Sequence, residues 1–403
     1  MRRSWLIALC VAVLALPASA GWDFGQAIAV TEAARPGVFH HLDSAGRKNV
    51  ALSGDRVGVA WEDNRSGQPG IYYSSMHPDQ GVFSESLRIS SGNEAYEPVI
   101  TPLDNGRFVL VWEQDGAVWT RSVTEFGLGA ALKLSSGAAG HASAASWKGR
   151  VYAVWREQRE TESGLRFSRL TLDMAGNIKS DESRPIEKGI SDAPQLYPSI
   201  AAGEAGIVIA WEDRRAGHTR LLLSYSADAE TFMQPEELNE YFHNRNEYDK
   251  GNGVTRVALA GFGKDEVLAA WMDKRRGGKG YAIYAALATG GGKAFGPNER
   301  VQGDQGDALP HYNPAVAGNS DGAFVVAWDD YRNGTSDIWL SSYSDELEWG
   351  DDFTLSAAAG AGEQSNPAVT MGSDGTIHLV WIERSALGQP TRIWYAAGTP
   401  RAD

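Results

Sequence analysis

Val208-Ile209-Ala210-Trp211-Glu212-Asp213-Arg214-Arg215 decides the fold, because the same pattern returns six more times along the chain. GVAWEDNR (58–65), VLVWEQDG (109–116), YAVWREQR (152–159), LAAWMDKR (268–275), VVAWDDYR (325–332) and HLVWIERS (378–385) each end an apolar run in Trp followed by polar residues. Successive tryptophans, Trp61, Trp112, Trp155, Trp211, Trp271, Trp328 and Trp381, are 43 to 60 residues apart. Self-similarity at that period is read before anything else, because one repeat cannot bury its own apolar face and must stack on its neighbours.

Each copy carries more than the Trp run. Before it stands a short apolar segment, often with Pro: EPVI (97–100), YPSI (197–200), NPAV (313–316 and 366–369). After it come a polar turn with Gly and an aromatic strand, such as IYYSS (71–75) or DIWLSS (337–342), and then a weaker strand such as SLRISS (86–91). Four short strands joined by turns form one propeller blade. The expected fold is therefore all-β, a seven-bladed β-propeller of four-stranded blades. Pro is awkward in a central strand and is placed in the innermost strand, an edge that lines the channel. The seventh copy lacks a fourth strand after RIWYAA (392–397), and Trp22 to Val30 matches the missing pattern. Both termini are expected to share the last blade and so hide the final sheet edge.

The chain has 403 residues, with 51 acidic and 37 basic, for a formal net charge of −14. Residues 1–20 read as a cleaved signal peptide: Arg2 and Arg3, an apolar stretch from Trp5 to Leu16, and Ala18-Ser19-Ala20 as the cleavage site. Residues 21–403 then form one propeller domain, periplasmic or extracellular and not inserted in a membrane. The single Cys10 leaves with the signal, which removes disulfides, thiolate metal sites and cysteine nucleophiles from the mature chain. The acidic balance argues against nucleic acid as a partner.

At this level the chain resembles the sialidase-like and BNR-repeat propellers of secreted bacterial proteins. Their Asp-box, Ser-x-Asp-x-Gly-x-x-Trp/Phe, has degenerate counterparts at Ser226 to Phe232, Asp79 to Phe83 and Ser344 to Trp349. The box is a structural turn, so the resemblance implies fold before activity. Sialidases also need three arginines, a Tyr with a Glu partner and an acidic Asp, and their Phe/Tyr-Arg-Ile-Pro segment is absent here. The stretch closest to it, Arg35 to His41, differs at almost every position.

Trp-x-Asp/Glu-x-Arg recurs in five copies and pairs Asp63 with Arg65, Glu157 with Arg159, Asp213 with Arg215, Asp273 with Arg275 and Asp330 with Arg332. Repetition marks these pairs as a structural clamp, since a catalytic site is asymmetric. Positions that depart from the repeat are the ligand-binding candidates: His40, His41, Arg47, Tyr96, His141, Tyr197, Arg256, His311 and Tyr312. Their strand-start positions converge on one face, around the channel mouth. Two insertions, 31–48 and 239–254, enter the same face. No metal-ligand spacing stands out, so no metal or other cofactor is expected, with a Ca²⁺ site in the Asp-Gly turns as the alternative. The leading expectation is an exported propeller that binds a carbohydrate or a protein partner through this face, without catalysis. The alternative is a carbohydrate-active enzyme, either a sialidase-like glycoside hydrolase or a polysaccharide lyase that uses an arginine with a His or Tyr base.

Overall fold

The computed structural model describes residues 21–159, 163–187, 193–240, 253–261, 265–275, 280–304, 309–343, 349–358 and 362–401. Residues 1–20, read above as a signal peptide, most of the second insertion (241–252) and residues 344–348 of the third Asp-box counterpart lie outside them. Seven antiparallel sheets follow one another along the chain, as the repeat requires. The fourth blade is representative: Gln195–Gly203 lines the channel, Gly206–Asp213 carries the Trp run, Arg220–Ser226 follows, and the two-residue strand Glu236–Glu237 closes the rim. Five sheets count five strands, because the outer strand or, in the first blade, the innermost one is broken into two pieces.

Closure is visible in both hydrogen bonding and packing. Trp22–Phe24 pairs with the last strand, Arg392–Pro400, with Trp22 opposite Pro400, and Ile28 stands opposite Tyr395. The seven tryptophans of the repeat are fully buried. Each packs between its own sheet and the preceding one, so the core divides into seven interfaces. The seventh interface joins Trp61 of the first blade to Val380, Ile393 and Tyr395 of the last and completes the ring.

The conserved chemistry of the repeat explains the buried polar atoms beside each Trp. Every indole Nε1–H donates to the side chain two residues on, at 2.9 Å for Trp61 to Asp63 and 3.1 Å for Trp211 to Asp213. The arginine two further on closes back onto the same carboxylate: Arg65 Nε lies 2.8 Å from Asp63 Oδ2, and Arg275 Nη2 lies 2.7 Å from Asp273 Oδ2. This clamp works both between blades, where Arg215 Nη2 reaches Glu187 Oε2 of the preceding blade at 2.6 Å, and within a blade. Arg65 continues to Ser86, and Arg332 Nη2 reaches Asp352 Oδ2 at 2.8 Å, so the end of the Trp strand is tied to its own outer strand.

Each innermost strand contains a bulge. Pairing slips between Tyr96 and Val99, Gly140 and Ser143, Leu196 and Ser199, Thr255 and Ala258, Tyr312 and Ala315, and Ser365 and Ala368. The first bulged residue is left-handed in every case, and the second is Pro in four: Pro98, Pro198, Pro314 and Pro367. A bulge leaves its extra residues out of the ladder, so Pro costs no hydrogen bond there. In the first blade the bulge has grown into a loop. His40–His41 pairs with the Trp strand, residues 42–48 leave the sheet, and pairing resumes at Val50–Ser53. That loop carries the 3₁₀ turn Ala45–Arg47, which packs against innermost strands of the other blades and fills the centre of the ring. Gly46 makes this possible, because its φ is +73° and a Cβ there would lie 2.6 Å from Ser199 Oγ.

Candidate functional site: the channel mouth

The six bulges and the loop of the first blade place seven side chains around the channel: Arg47, Glu97, His141, Tyr197, Arg256, Asn313 and Asn366, all with φ between 47° and 59°. Non-Gly residues seldom hold this conformation, and such strain concentrates where surroundings over-determine it. The surroundings here are the side chains that follow the repeat Trp. Glu212 Oε1 accepts the Arg256 amide at 2.9 Å and the Thr255 hydroxyl at 2.6 Å. Asp329 Oδ1 accepts the Asn366 amide at 2.8 Å, Glu113 accepts the His141 amide, and Glu62 accepts the Glu97 amide. One blade thus fixes the ring residue of the next.

Holding these carboxylates in the protein interior changes their acidity. Burial pushes Glu62 and Asp329 up to about 7, against a backbone hydrogen bond in the first case and the Arg47 charge in the second. Burial and the neighbouring Glu97 charge also raise Glu113.

The ring divides into two arcs. On one side Arg47 is 5% exposed and donates to Leu42 O at 3.1 Å, to Asn366 Oδ1 at 3.0 Å and to Asn313 Oδ1. Its polar partners and the loop above it close this arc. Beneath, Lys48 donates to Ala144 O at 3.1 Å and to Ile200 O, and burial lowers its pKa to about 7. Its stem lines a cavity of about 210 Å³ at the other end of the channel.

On the other side, blades two to five present an open arc. His141 meets Tyr197 edge-on with centroids 4.1 Å apart, and the Arg256 guanidinium lies 3.9 Å above the Tyr197 ring. Arg256 Nη1 is 3.3 Å from Asp43 Oδ1, and His141 Nδ1 is 3.5 Å from Glu97 Oε2. Tyr96 lies near Glu62 and Glu113, its hydroxyl 2.9 Å from Glu94 Oε2. The side chains of Glu97, His141 and Arg256 are between 18% and 24% exposed, enough for solvent or a ligand to reach them.

The predicted candidates therefore separate. His141, Tyr197 and Arg256 meet in the open arc, Tyr96 pairs instead with Glu94, and Arg47 belongs to the ring but is spent on internal contacts. His41 is exposed on the same face, stacked on Phe39 at 4.4 Å with Nδ1 3.7 Å from Glu62 Oε1. Tyr312 lies further round, edge-on to Tyr281 and Tyr331, each at 5.9 Å. His40 and His311 do not reach the mouth. His311 is 1% exposed with Nδ1 3.0 Å from Asp330 Oδ2, and His40 stands at the matching position opposite Asp63, bonded to Thr391. Strand-start position alone placed them at the mouth, but the strand alternates and turns these two side chains into the blade. Glu97 and Glu113 were missed as candidates, although a legible signal existed: Glu97 precedes a strand-one Pro, and Glu113 follows a repeat Trp.

No family model matches the chain, and no curated protein matches it in sequence. Solved structures do. A protein of unknown function from Dyadobacter fermentans has a TM-score of 0.53 at 12% identity, covering 96% of this chain and 100% of that one. The phage phi92 endosialidase has a TM-score of 0.50 at 8% identity, covering 95% and 70%. An alpha-L-arabinanase of Penicillium chrysogenum, complexed with arabinobiose, has a TM-score of 0.47 at 13% identity, covering 75% and 92%. The shared property is the fold. Among the described residues no helix is long and apolar enough to cross a membrane.

Proposed function

We propose that the protein is an exported carbohydrate-binding propeller that holds a neutral, hydroxyl-rich glycan in the open arc of blades two to five. The observation that carries this reading is the Tyr197 ring in contact with His141 and Arg256, with the Glu97 carboxylate next to His141. A half-exposed aromatic offers a sugar ring an apolar face, and fixed carboxylates around it accept hydroxyl hydrogen bonds. Charge favours a neutral sugar over a uronate. Asp43 already offsets the Arg256 guanidinium, and Glu97 and Glu113 add further carboxylates to the arc. An incoming carboxylate would meet like charge at a partly buried site. That balance also disfavours the lyase alternative, and burial of His311 removes one of its bases. For hydrolysis, one Glu113 oxygen is held as acceptor of the His141 amide, the task its counterparts perform in other blades.

Kinship with sialidase-like and BNR-repeat propellers is supported by the turn at Ser226 to Phe232. Asp228 Oδ1 there accepts the amides of Glu230 and Thr231, both at 2.8 Å, and the Ser226 hydroxyl at 3.0 Å. Export through residues 1–20 follows from the sequence pattern and places the arc where extracytoplasmic glycans are found.

A glycan array probed with the purified protein tests the reading. Binding to neutral oligosaccharides that falls at least tenfold in Tyr197→Ala is expected. Binding confined to acidic glycans, or left intact in Tyr197→Ala, would overturn it. Release of reducing ends from a bound glycan would replace binding by hydrolysis.

A further inference from the structure

Beside the Tyr197 platform, Glu97, Glu113 and His141 each offer one ligand atom, and the three atoms lie within 4.8 Å of one another. They come from adjacent blades, two from the second and one from the third, so no sequence spacing announces them. Two of the atoms are left unsatisfied. Glu97 Oε2 and His141 Nδ1 are both buried without a hydrogen-bond partner, and they face each other at 3.5 Å. Unpaired buried polar atoms are costly, and here the two are an imidazole nitrogen and a carboxylate oxygen.

The separation matches a shared cation. Two ligands about 2.1 Å from a tetrahedral centre stand about 3.4 Å apart. The geometry points to a divalent transition-metal site of the Zn²⁺ class, ligated by Glu97, Glu113 and His141, with a fourth position open to the channel mouth. One imidazole and two carboxylates form a ligand set that such ions accept, whereas Ca²⁺ wants six or more oxygens. The set is already positioned. Both Glu97 and His141 are locked in the left-handed conformation by their bulges, Glu113 accepts the His141 amide, and Tyr197 fixes the imidazole plane. Such outer contacts orient ligands before the ion arrives. A water or a sugar hydroxyl would complete the shell.

This inference is independent of glycan binding and is tested without sugar. Protein stripped with chelator is titrated with Zn²⁺ against a chromogenic competitor, and Co²⁺ is added separately as a spectroscopic probe. One equivalent of Zn²⁺ and an intense visible band of tetrahedral Co²⁺ are expected in the wild type. Glu97→Gln and His141→Ala are expected to weaken binding at least tenfold and to abolish the band, with thermal unfolding showing that both variants fold. His77→Ala, at a separate histidine 3.3 Å from Asp55, serves as a control for surface histidines and is expected to change neither readout. Absence of stoichiometric Zn²⁺ in the wild type overturns the site. So does retention of binding in a folded His141→Ala protein, which would leave the 3.5 Å contact as a direct interaction between His141 and Glu97.

Discussion

At the scale of single residues, the repeat Trp and the buried lysine show opposite uses of the interior. Trp211 is fully buried, packs between two sheets and has its indole nitrogen satisfied by Asp213. Trp211→Ala is expected to cost about 3–5 kcal/mol in urea unfolding, because the cavity sits between rigid sheets. Lys48 is held in the channel with a pKa near 7, well under its ordinary 10.5. The unfolded chain therefore keeps the proton between pH 7 and 10.5 while the folded chain gives it up, so the Lys48 contribution to stability rises with pH across that window. Relative to Lys48→Met, the wild type is expected to gain about 1.4 kcal/mol per pH unit there, measured by denaturant unfolding between pH 7.5 and pH 9.5. A flat difference between the two proteins would show that Lys48 stays charged. Residues of this kind divide in legibility. The tryptophans were readable because seven copies share one environment. Lys48 was not, since nothing in Arg47-Lys48-Asn49 tells that the chain enters the channel at that point.

At the scale of elements, the bulge explains both what sequence disclosed and what it withheld. The Pro of strand one marked an edge strand correctly, but the left-handed residue before it, which aims a side chain into the channel, follows only from the pairing slip. His141, Tyr197 and Arg256 were recognised as departures from the repeat. His311 departs too and yet is buried, because it sits two residues before the bulged Asn313 and its side chain points into the sheet. In four blades the residue after the Trp is a carboxylate, Glu62, Glu113, Glu212 or Asp329, and it is the partner of the next bulge. Glu212→Ala leaves the Thr255 hydroxyl and the Arg256 amide without their acceptor, which is expected to cost roughly 1–3 kcal/mol and to weaken glycan binding by displacing Arg256 from Tyr197. Retention of both stability and binding would show that the bulge holds itself. Gly46→Ala tests the loop in the same way. Positive φ and the approach to Ser199 Oγ together predict roughly 1–3 kcal/mol of destabilisation, read in thermal unfolding.

At the scale of the whole molecule, ring closure makes the mouth a defined place. Seven interblade cores and the pairing of Trp22–Phe24 with Arg392–Pro400 leave no open sheet edge at the junction. Deleting residues 21–30 is expected to lower the melting temperature and to produce oligomers on size exclusion, because the last blade then exposes an unpaired strand. Closure was legible from the missing fourth strand of the seventh copy. The split of the mouth into a plugged arc and an open one was not, because it depends on where residues 42–48 settle after the ring has formed. The function assigned to the molecule rests on that open arc. Hydrogen exchange of the protein with and without its best array glycan tests it most directly. Protection is expected in the bulge segments around Tyr96–Glu97, His141, Tyr197 and Arg256, spread over blades two to five. Protection confined to the outer rim, or to the plugged arc around Asn313 and Asn366, would contradict the account.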